Sequence, residues 1–127
     1  MKPMIRILLV DDDDLFRQML HTTLKRFGYD VVAARNGNEA LALHQREPFD
    51  LIMTDLIMPE KEGLETIRDL RRQKPDMKII AMSGGARTIV GDHLKMAKAM
   101  GAAQVLAKPF SNQEMMEAIE ATLGKAQ

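Results

Sequence analysis

The sequence predicts an α/β fold in which a parallel sheet carries helices on both faces. Three observations support this. Short apolar runs recur five times, at 4–10, 30–34, 50–54, 77–82 and 103–107. They are five to seven residues long and do not alternate with polar residues, the pattern of strands buried on both faces. Stretches with helical spacing separate them, and such alternation implies parallel strands joined by right-handed helical crossovers. At 127 residues, with no low-complexity linker and no internal repeat, the chain is expected to be one domain with a sizeable core.

Taken in order, "MIRILLV" is the first strand and runs straight into four aspartates, Asp11 to Asp14. Leu15, Met19, Leu20, Leu24 and Phe27 fit one face of a first helix, which Gly28 would end. "DVVAA" is the second strand, and Asn36 followed by Glu39 reads as a capping box opening a second helix. "DLIMT" is the third strand, with Asp55 at its end. Leu64, Ile67, Leu70 and Arg71 place a third helix, closed by Pro75. "MKIIAM" is the fourth strand and leads into Ser83, Gly84 and Gly85. Asp92 would cap a fourth helix through Met100, with Gly101 just past its end. "AQVLA" is the fifth strand, followed by Lys108. Ser111 with Glu114 caps a last helix whose Met115, Met116, Ile119 and Leu123 face the core.

Composition narrows the function classes. Eighteen basic against eighteen acidic side chains remove any bulk attraction to nucleic acid or to an anionic membrane. No apolar run approaches the roughly 20 residues of a membrane-spanning helix. The N-terminus runs into acid where a signal peptide would offer small residues, so a cytoplasmic location is expected. The chain has no cysteine, which excludes disulfides and thiolate metal sites. Eleven methionines suit an adaptable core better than a cofactor box. His21, His44 and His93 are scattered over three predicted helices and read as structural. Arg71, Arg72 and Lys74 end a helix, where positive charge complements the dipole, and Lys95 and Lys98 read as a solvated helix face.

Ligands of such sheets sit beyond the carboxyl ends of the strands. Those ends carry Asp11 and Asp12, Asp55, Ser83 and Lys108. If the strands are neighbours, three carboxylates, a hydroxyl and an ammonium converge. Carboxylates crowded within a few ångströms repel one another unless a cation compensates. All-oxygen ligands favour a hard ion, and Mg²⁺ needs only one or two carboxylates with carbonyls and water. Lys108 and Ser83 could then hold an anion's oxygens, with Gly84 and Gly85 letting the backbone approach. The set describes a phosphoryl site beside Mg²⁺, at which a carboxylate can become an aspartyl phosphate.

The segments "ILLVDDD", "DLIMTDLIMPEKEGLETI", "IIAMSGG" and "LAKPF", in this order, resemble the response-regulator receiver domain of two-component signalling. The resemblance covers essentially the whole chain. It implies a flavodoxin-like (βα)5 doubly wound sheet of order 2-1-3-4-5. It further implies Asp55 as phospho-acceptor and direct Mg²⁺ ligation by Asp12 and Asp55, with Asp11 acting through water. The backbone carbonyl of Ile57 would be another ligand. Ser83, the Gly84 amide and Lys108 would bind phosphoryl oxygens, and Lys108–Pro109 would be cis. Asp13 and Asp14 match no acidic position of the motif, so they are expected to cap and charge the N-terminus of the first helix.

Two departures matter. The family's aromatic switch position, three residues before the lysine, is Val105, so output would rest on Ser83 and on backbone or helix movement. The segment 83–92 is longer than usual, either a loop that orders on modification or a plain insertion. Ile57 and Gly85 bring no polar side chain to the pocket, which predicts slow loss of the phosphoryl group. The expectation is a stand-alone receiver, residues 1–127 with no output domain, and not an enzyme in its own right. It would be phosphorylated by a sensor histidine kinase or histidine phosphotransfer protein and act on an unknown protein target or pass the group onward. A Mg²⁺-dependent phosphatase of the haloacid dehalogenase type would use Asp11 and Asp13, but "KPFSNQE" lacks its further acidic pair. A docking scaffold without phosphorylation would not need the complete set of acids, serine and lysine.

Overall fold

The computed structural model describes residues 4–56, 63–83, 95, 98, 99 and 101–124. Five strands, β1 (Arg6–Val10), β2 (Asp30–Ala34), β3 (Leu51–Asp55), β4 (Ile79–Ser83) and β5 (Gln104–Ala107), form one parallel sheet. Its order is β2-β1-β3-β4-β5, as the resemblance implied. The described helices are α1 (Asp14–Arg26), α2 (Gly37–Arg46), α3 (Gly63–Gln73) and α4 (Asn112–Leu123). The helix expected over 92–100 falls largely outside the described residues, as do Ile57, Gly84, Gly85, Asp92 and His93.

The two-residue period of the strands divides the core. Leu8, Val10, Ile52, Ile79 and Ala81 pack with Ala40 of α2 and with Ile67 and Leu70 of α3. Ile7, Leu9, Met53, Ile80 and Met82 pack on the opposite face with Leu20 and Leu24 of α1 and Met115 and Ile119 of α4. Every residue of β3 and β4 is buried, which is why their runs contain no alternation to read. β2 lies on one side of β1 and β3 on the other, so the direction of winding reverses at β1. A crevice therefore opens at the carboxyl ends of β1 and β3.

The expected face of the first helix needs correction. Leu20 and Leu24 are buried, but Leu15, Met19 and Phe27 are exposed by 80%, 55% and 47%. Phe16, Leu20 and Leu24 recur every fourth residue and form the inward stripe. Leu15 and Met19 each precede it by one position, a rotation of about 100° toward solvent. The N-terminus of α2 is a second correction. The Asn36 side chain accepts from the Glu39 N–H at 2.9 Å, but the Glu39 carboxylate takes the Arg35 N–H, at 2.8 Å. The box at Ser111 and Glu114 is complete, with bonds of 3.0 and 2.8 Å.

Arginine also does more than sequence suggested. Arg6 reaches Asp30 at 2.9 Å, Glu47 at 2.6 Å and the Pro48 carbonyl at 2.9 Å, and lies 4.8 Å over the Phe49 ring. It ties the amino end of β1 to β2 and to the turn before β3. Arg71, read as a dipole partner, instead donates to the carbonyls of Pro75 and Gly101, joining α3 to the approach to β5. Gly101 has φ +104, and Gly28 has φ +97 just beyond α1, as their placement after helices requires.

Candidate functional site

The strand register brings the chemistry together. Val10 is level with Thr54, Asp55 with Met82, and Ser83 with Ala107, so the residues ending each strand share one rim of the sheet. Asp11 and Asp12 follow β1, Asp55 closes β3, Ser83 closes β4, and Lys108 follows β5. One carboxylate oxygen each from Asp11, Asp12 and Asp55 lies within 4.8 Å of the other two. Asp11 and Asp55 are buried, while Asp12 faces solvent, which gives the cluster an open side.

The two buried carboxylates, Asp11 and Asp55, are held by the backbone around them. Asp11 receives the Asp13 N–H on Oδ1 at 2.9 Å and the Lys108 ammonium on Oδ2 at 2.8 Å. Lys108 Nζ is also 3.6 Å from Asp55 Oδ2. The other oxygen of Asp55 accepts the Leu56 N–H at 2.9 Å, fixing the rotamer of the side chain. Backbone pairing continues to the rim, where the Lys108 N–H donates to the Ser83 carbonyl at 2.7 Å. Lys108–Pro109 is cis, as the resemblance implied.

The Ser83 hydroxyl is fully buried and has no hydrogen-bond partner among the described residues. A buried hydroxyl left unpaired costs about 1–3 kcal/mol, and such groups mark positions kept for another purpose. Three oxygen ligands with no histidine or sulfur among them suit a hard divalent cation such as Mg²⁺. The donor set therefore fits Mg²⁺, with a hydroxyl and an ammonium beside it for an anion.

The aspartate run divides as its residue types suggested. Its first half contributes Asp11 and Asp12 to the cluster. Asp13 is the N-cap of α1 and accepts the Phe16 N–H at 3.1 Å, and Asp14 lies in the first turn. Asp13 is thereby committed to the helix, so the Asp11–Asp13 pair of a haloacid dehalogenase site is not what the rim presents. Sequence reasoning missed two kinds of support. Arg17 bonds the Asp11 carbonyl at 2.8 Å and Asp14 at 2.6 Å, bracing the turn. The Phe16 ring meets both the Lys108 ammonium and, edge-on, Phe110, contacts that need the ends of two distant segments to meet. Val105 is half-buried against the core of the α2–α3 face, level with Ala81. The Ile57 carbonyl and the Gly84 amide, expected as further ligands, lie outside the described residues, as does Gly85.

Comparison with known proteins agrees with the geometry. The model of the response regulator receiver domain matches residues 7–120. The response regulator receiver protein CpdR of Brucella abortus is 38% identical over 120 residues, 94% of this chain and 98% of its own length. The alkaline phosphatase synthesis transcriptional regulatory protein PhoP of Bacillus subtilis is 34% identical, but the match spans 96% of this chain and only 50% of that protein. The solved structure of the chemotaxis protein CheY4 of Vibrio cholerae superposes with a TM-score of 0.85 at 32% identity, covering 95% of this chain and all of that one. The response regulator TrrA of Thermotoga maritima, solved in complex with Mg²⁺–BeF, gives a TM-score of 0.83 at 34% identity, over 94% of this chain and 100% of that chain.

Proposed function

Because the chain belongs to the response regulator receiver family of two-component systems, we propose that it accepts a phosphoryl group on Asp55 from a phosphohistidine of a sensor kinase or phosphotransfer protein. The observation that carries this reading is the rim itself: Asp11, Asp12 and Asp55 clustered within 4.8 Å, beside the unpartnered hydroxyl of Ser83 and the ammonium of Lys108. Asp55 Oδ2, the oxygen facing Lys108, attacks phosphorus. The new O–P bond forms as the P–N bond to the donor histidine breaks, and the leaving imidazole keeps that electron pair and takes up a proton. Asp12 and Asp55 would hold Mg²⁺, with Asp11 acting through water. When bound, the ion neutralises the carboxylates that would otherwise repel the incoming anion. Lys108 and Ser83 then hold the phosphoryl oxygens by a charge and a hydrogen bond.

Output is proposed to be partner binding or onward transfer of the group, not a domain within these 127 residues. A cytoplasmic location fits a kinase-dependent role, and no helix among the described residues is long and apolar enough to cross a membrane. The test is intact mass after incubation with Mg²⁺ and a small acyl phosphate, or with a histidine kinase, with Asp55→Asn in parallel. A single phosphoryl adduct that needs Mg²⁺ and disappears in the variant is expected. An adduct that persists in Asp55→Asn, or none from either donor, refutes the proposal.

A further inference from the structure

Among the described residues, three groups surround the Lys108 ammonium, and two of them are carboxylates. Nζ lies 2.8 Å from Asp11 Oδ2 and 3.6 Å from Asp55 Oδ2. It also lies 4.2 Å from the centroid of the Phe16 ring, over its face. Phe16 is itself held in place. Its backbone N–H is bonded by the N-cap Asp13, and its ring meets Phe110 edge-on, with centroids 5.9 Å apart and planes at 85°. Phe110 is two residues beyond Lys108, so one short segment supplies both the ammonium and the brace for the ring above it. The side chain of Lys108 is only 17% exposed, which places this contact away from bulk solvent, where a ring–cation attraction is strongest.

We propose that Phe16 is a positioning residue for phosphoryl acceptance, holding the Lys108 ammonium over its ring face so that it points between Asp11 and Asp55. The proposal rests on the receiver reading above. A carboxylate in the place of Phe16 would hold the ammonium equally well but would cancel its charge. The ring quadrupole stabilises the cation and contributes no net charge, so it adds no third anion to compete with a phosphoryl oxygen for an ammonium already shared by Asp11 and Asp55. The ring also closes one side of the ammonium to water, which limits its rotamers and lowers the entropy lost when an anion is captured. Asp13 and Asp14 gain a role in the same way. By starting α1 where they do, they place Phe16 in its first turn, with its N–H bonded by the Asp13 side chain.

The experiment compares the wild-type chain with Phe16→Leu, Phe16→Tyr and Phe110→Leu by two readouts. The first uses protein labelled at its lysine ammonium and Cε positions, without Mg²⁺ or donor, and follows the Lys108 resonances by NMR. An upfield ring-current displacement is expected in the wild type and in Phe16→Tyr, with its loss in Phe16→Leu. The second is the rate of phosphoryl-adduct formation with an acyl phosphate and Mg²⁺. Phe16→Leu should be slower by ~3- to 30-fold, Phe16→Tyr within about 2-fold of wild type, and Phe110→Leu in between. If the wild type accepts phosphate and Phe16→Leu equals it in both rate and Lys108 shift, the inference is overturned. If the wild type forms no adduct while its Lys108 signals still carry the ring shift, the receiver reading fails and the contact stands. If Phe16→Leu is unfolded by circular dichroism, Phe110→Leu decides, and wild-type behaviour in both its readouts counts against the inference.

Discussion

Lys108→Met removes the ammonium from the rim but keeps a stem of similar length, and the consequence can be worked from the distances. At 2.8 Å from Asp11 and 3.6 Å from Asp55, the two attractions are about 6 and about 5 kcal/mol at an effective dielectric of about 20. Desolvation offsets much of that sum. Removing one partner of a buried pair typically costs about 3–5 kcal/mol, because the other charge is left uncompensated. Asp11 is fully buried but keeps the Asp13 N–H at 2.9 Å, which favours the lower end, about 3 kcal/mol. Urea unfolding at pH 8 in chelator should therefore show the variant less stable than wild type by that amount. Mg²⁺ should then narrow the difference. A bound ion stabilises by about 1.4 kcal/mol for each tenfold excess over its dissociation constant, and the variant binds it more tightly because no ammonium competes for the carboxylates. A gap below about 1 kcal/mol in chelator, or equal stabilisation of both proteins by Mg²⁺, would refute the assignment of Lys108 as the resident counter-charge.

Three further outcomes follow from other parts of the molecule. His44 is buried with neither ring nitrogen bonded, and burial, helped by the nearby Lys74 charge, pushes its pKa below the ordinary 6.5. The unfolded chain then takes up a proton that the folded chain refuses. Stability is complete above about pH 6.5 and declines as pH falls toward the folded pKa, by up to about 1.4 kcal/mol per pH unit. Urea unfolding between pH 5 and 7.5 should show this slope in wild type and its loss in His44→Leu, and parallel slopes would contradict it. Arg6→Met should lower stability by about 2 kcal/mol, from two half-exposed ion pairs, one carbonyl bond and the Phe49 contact. High salt should close only part of that gap, and closure of all of it would mean the ion pairs alone mattered. Gly101→Ala should cost more than Gly28→Ala in thermal melts. Both have positive φ, but a Cβ at Gly101 would lie 2.7 Å from Arg71 Nε and one at Gly28 would meet nothing within 4 Å.

The strands were legible because buried parallel strands need unbroken apolar runs, and the five runs matched five strands to within one or two residues at their ends. The site was legible for a related reason. Charged or hydroxyl residues at the ends of such runs have few structural uses, so Asp11, Asp12, Asp55, Ser83 and Lys108 stand out from the sequence alone. Helix faces were harder to read. In α1, apolar residues occupy both the inward stripe of Leu20 and Leu24 and the exposed positions of Leu15 and Met19, so hydrophobicity alone did not distinguish them. Contacts between distant segments left no local trace. The ring of Phe16 over Lys108, the bonds of Arg71 to Gly101 and the four partners of Arg6 all depend on which strand ends become neighbours. The strand order that decides this came from family resemblance, not from the pattern of residues.

Charge balance bears on the phosphoryl acceptance proposed for the rim. Among the described residues, three carboxylates face one ammonium, and two negative charges remain, the charge of one divalent cation. The proposed conversion of Asp55 to an aspartyl phosphate would replace a singly charged carboxylate with a group close to doubly charged, at a position only 6% exposed. That added charge cannot be left to solvent, so it draws on whatever donors the rim can move. Lys108 is already beside Asp55, and the Ser83 hydroxyl is a buried donor with no competing bond among the described residues. Ser83 is the last residue of β4, and its carbonyl is bonded by the Lys108 N–H, so a shift of either donor strains the same backbone link between β4 and β5. Val105 lies three residues before the Lys108 end of that link and offers a small, half-buried side chain in place of a large ring. On the proposed reading, a shift of Ser83 or Lys108 is carried by the β4–β5 link itself, and a partner sensitive to that shift is expected to bind beside it.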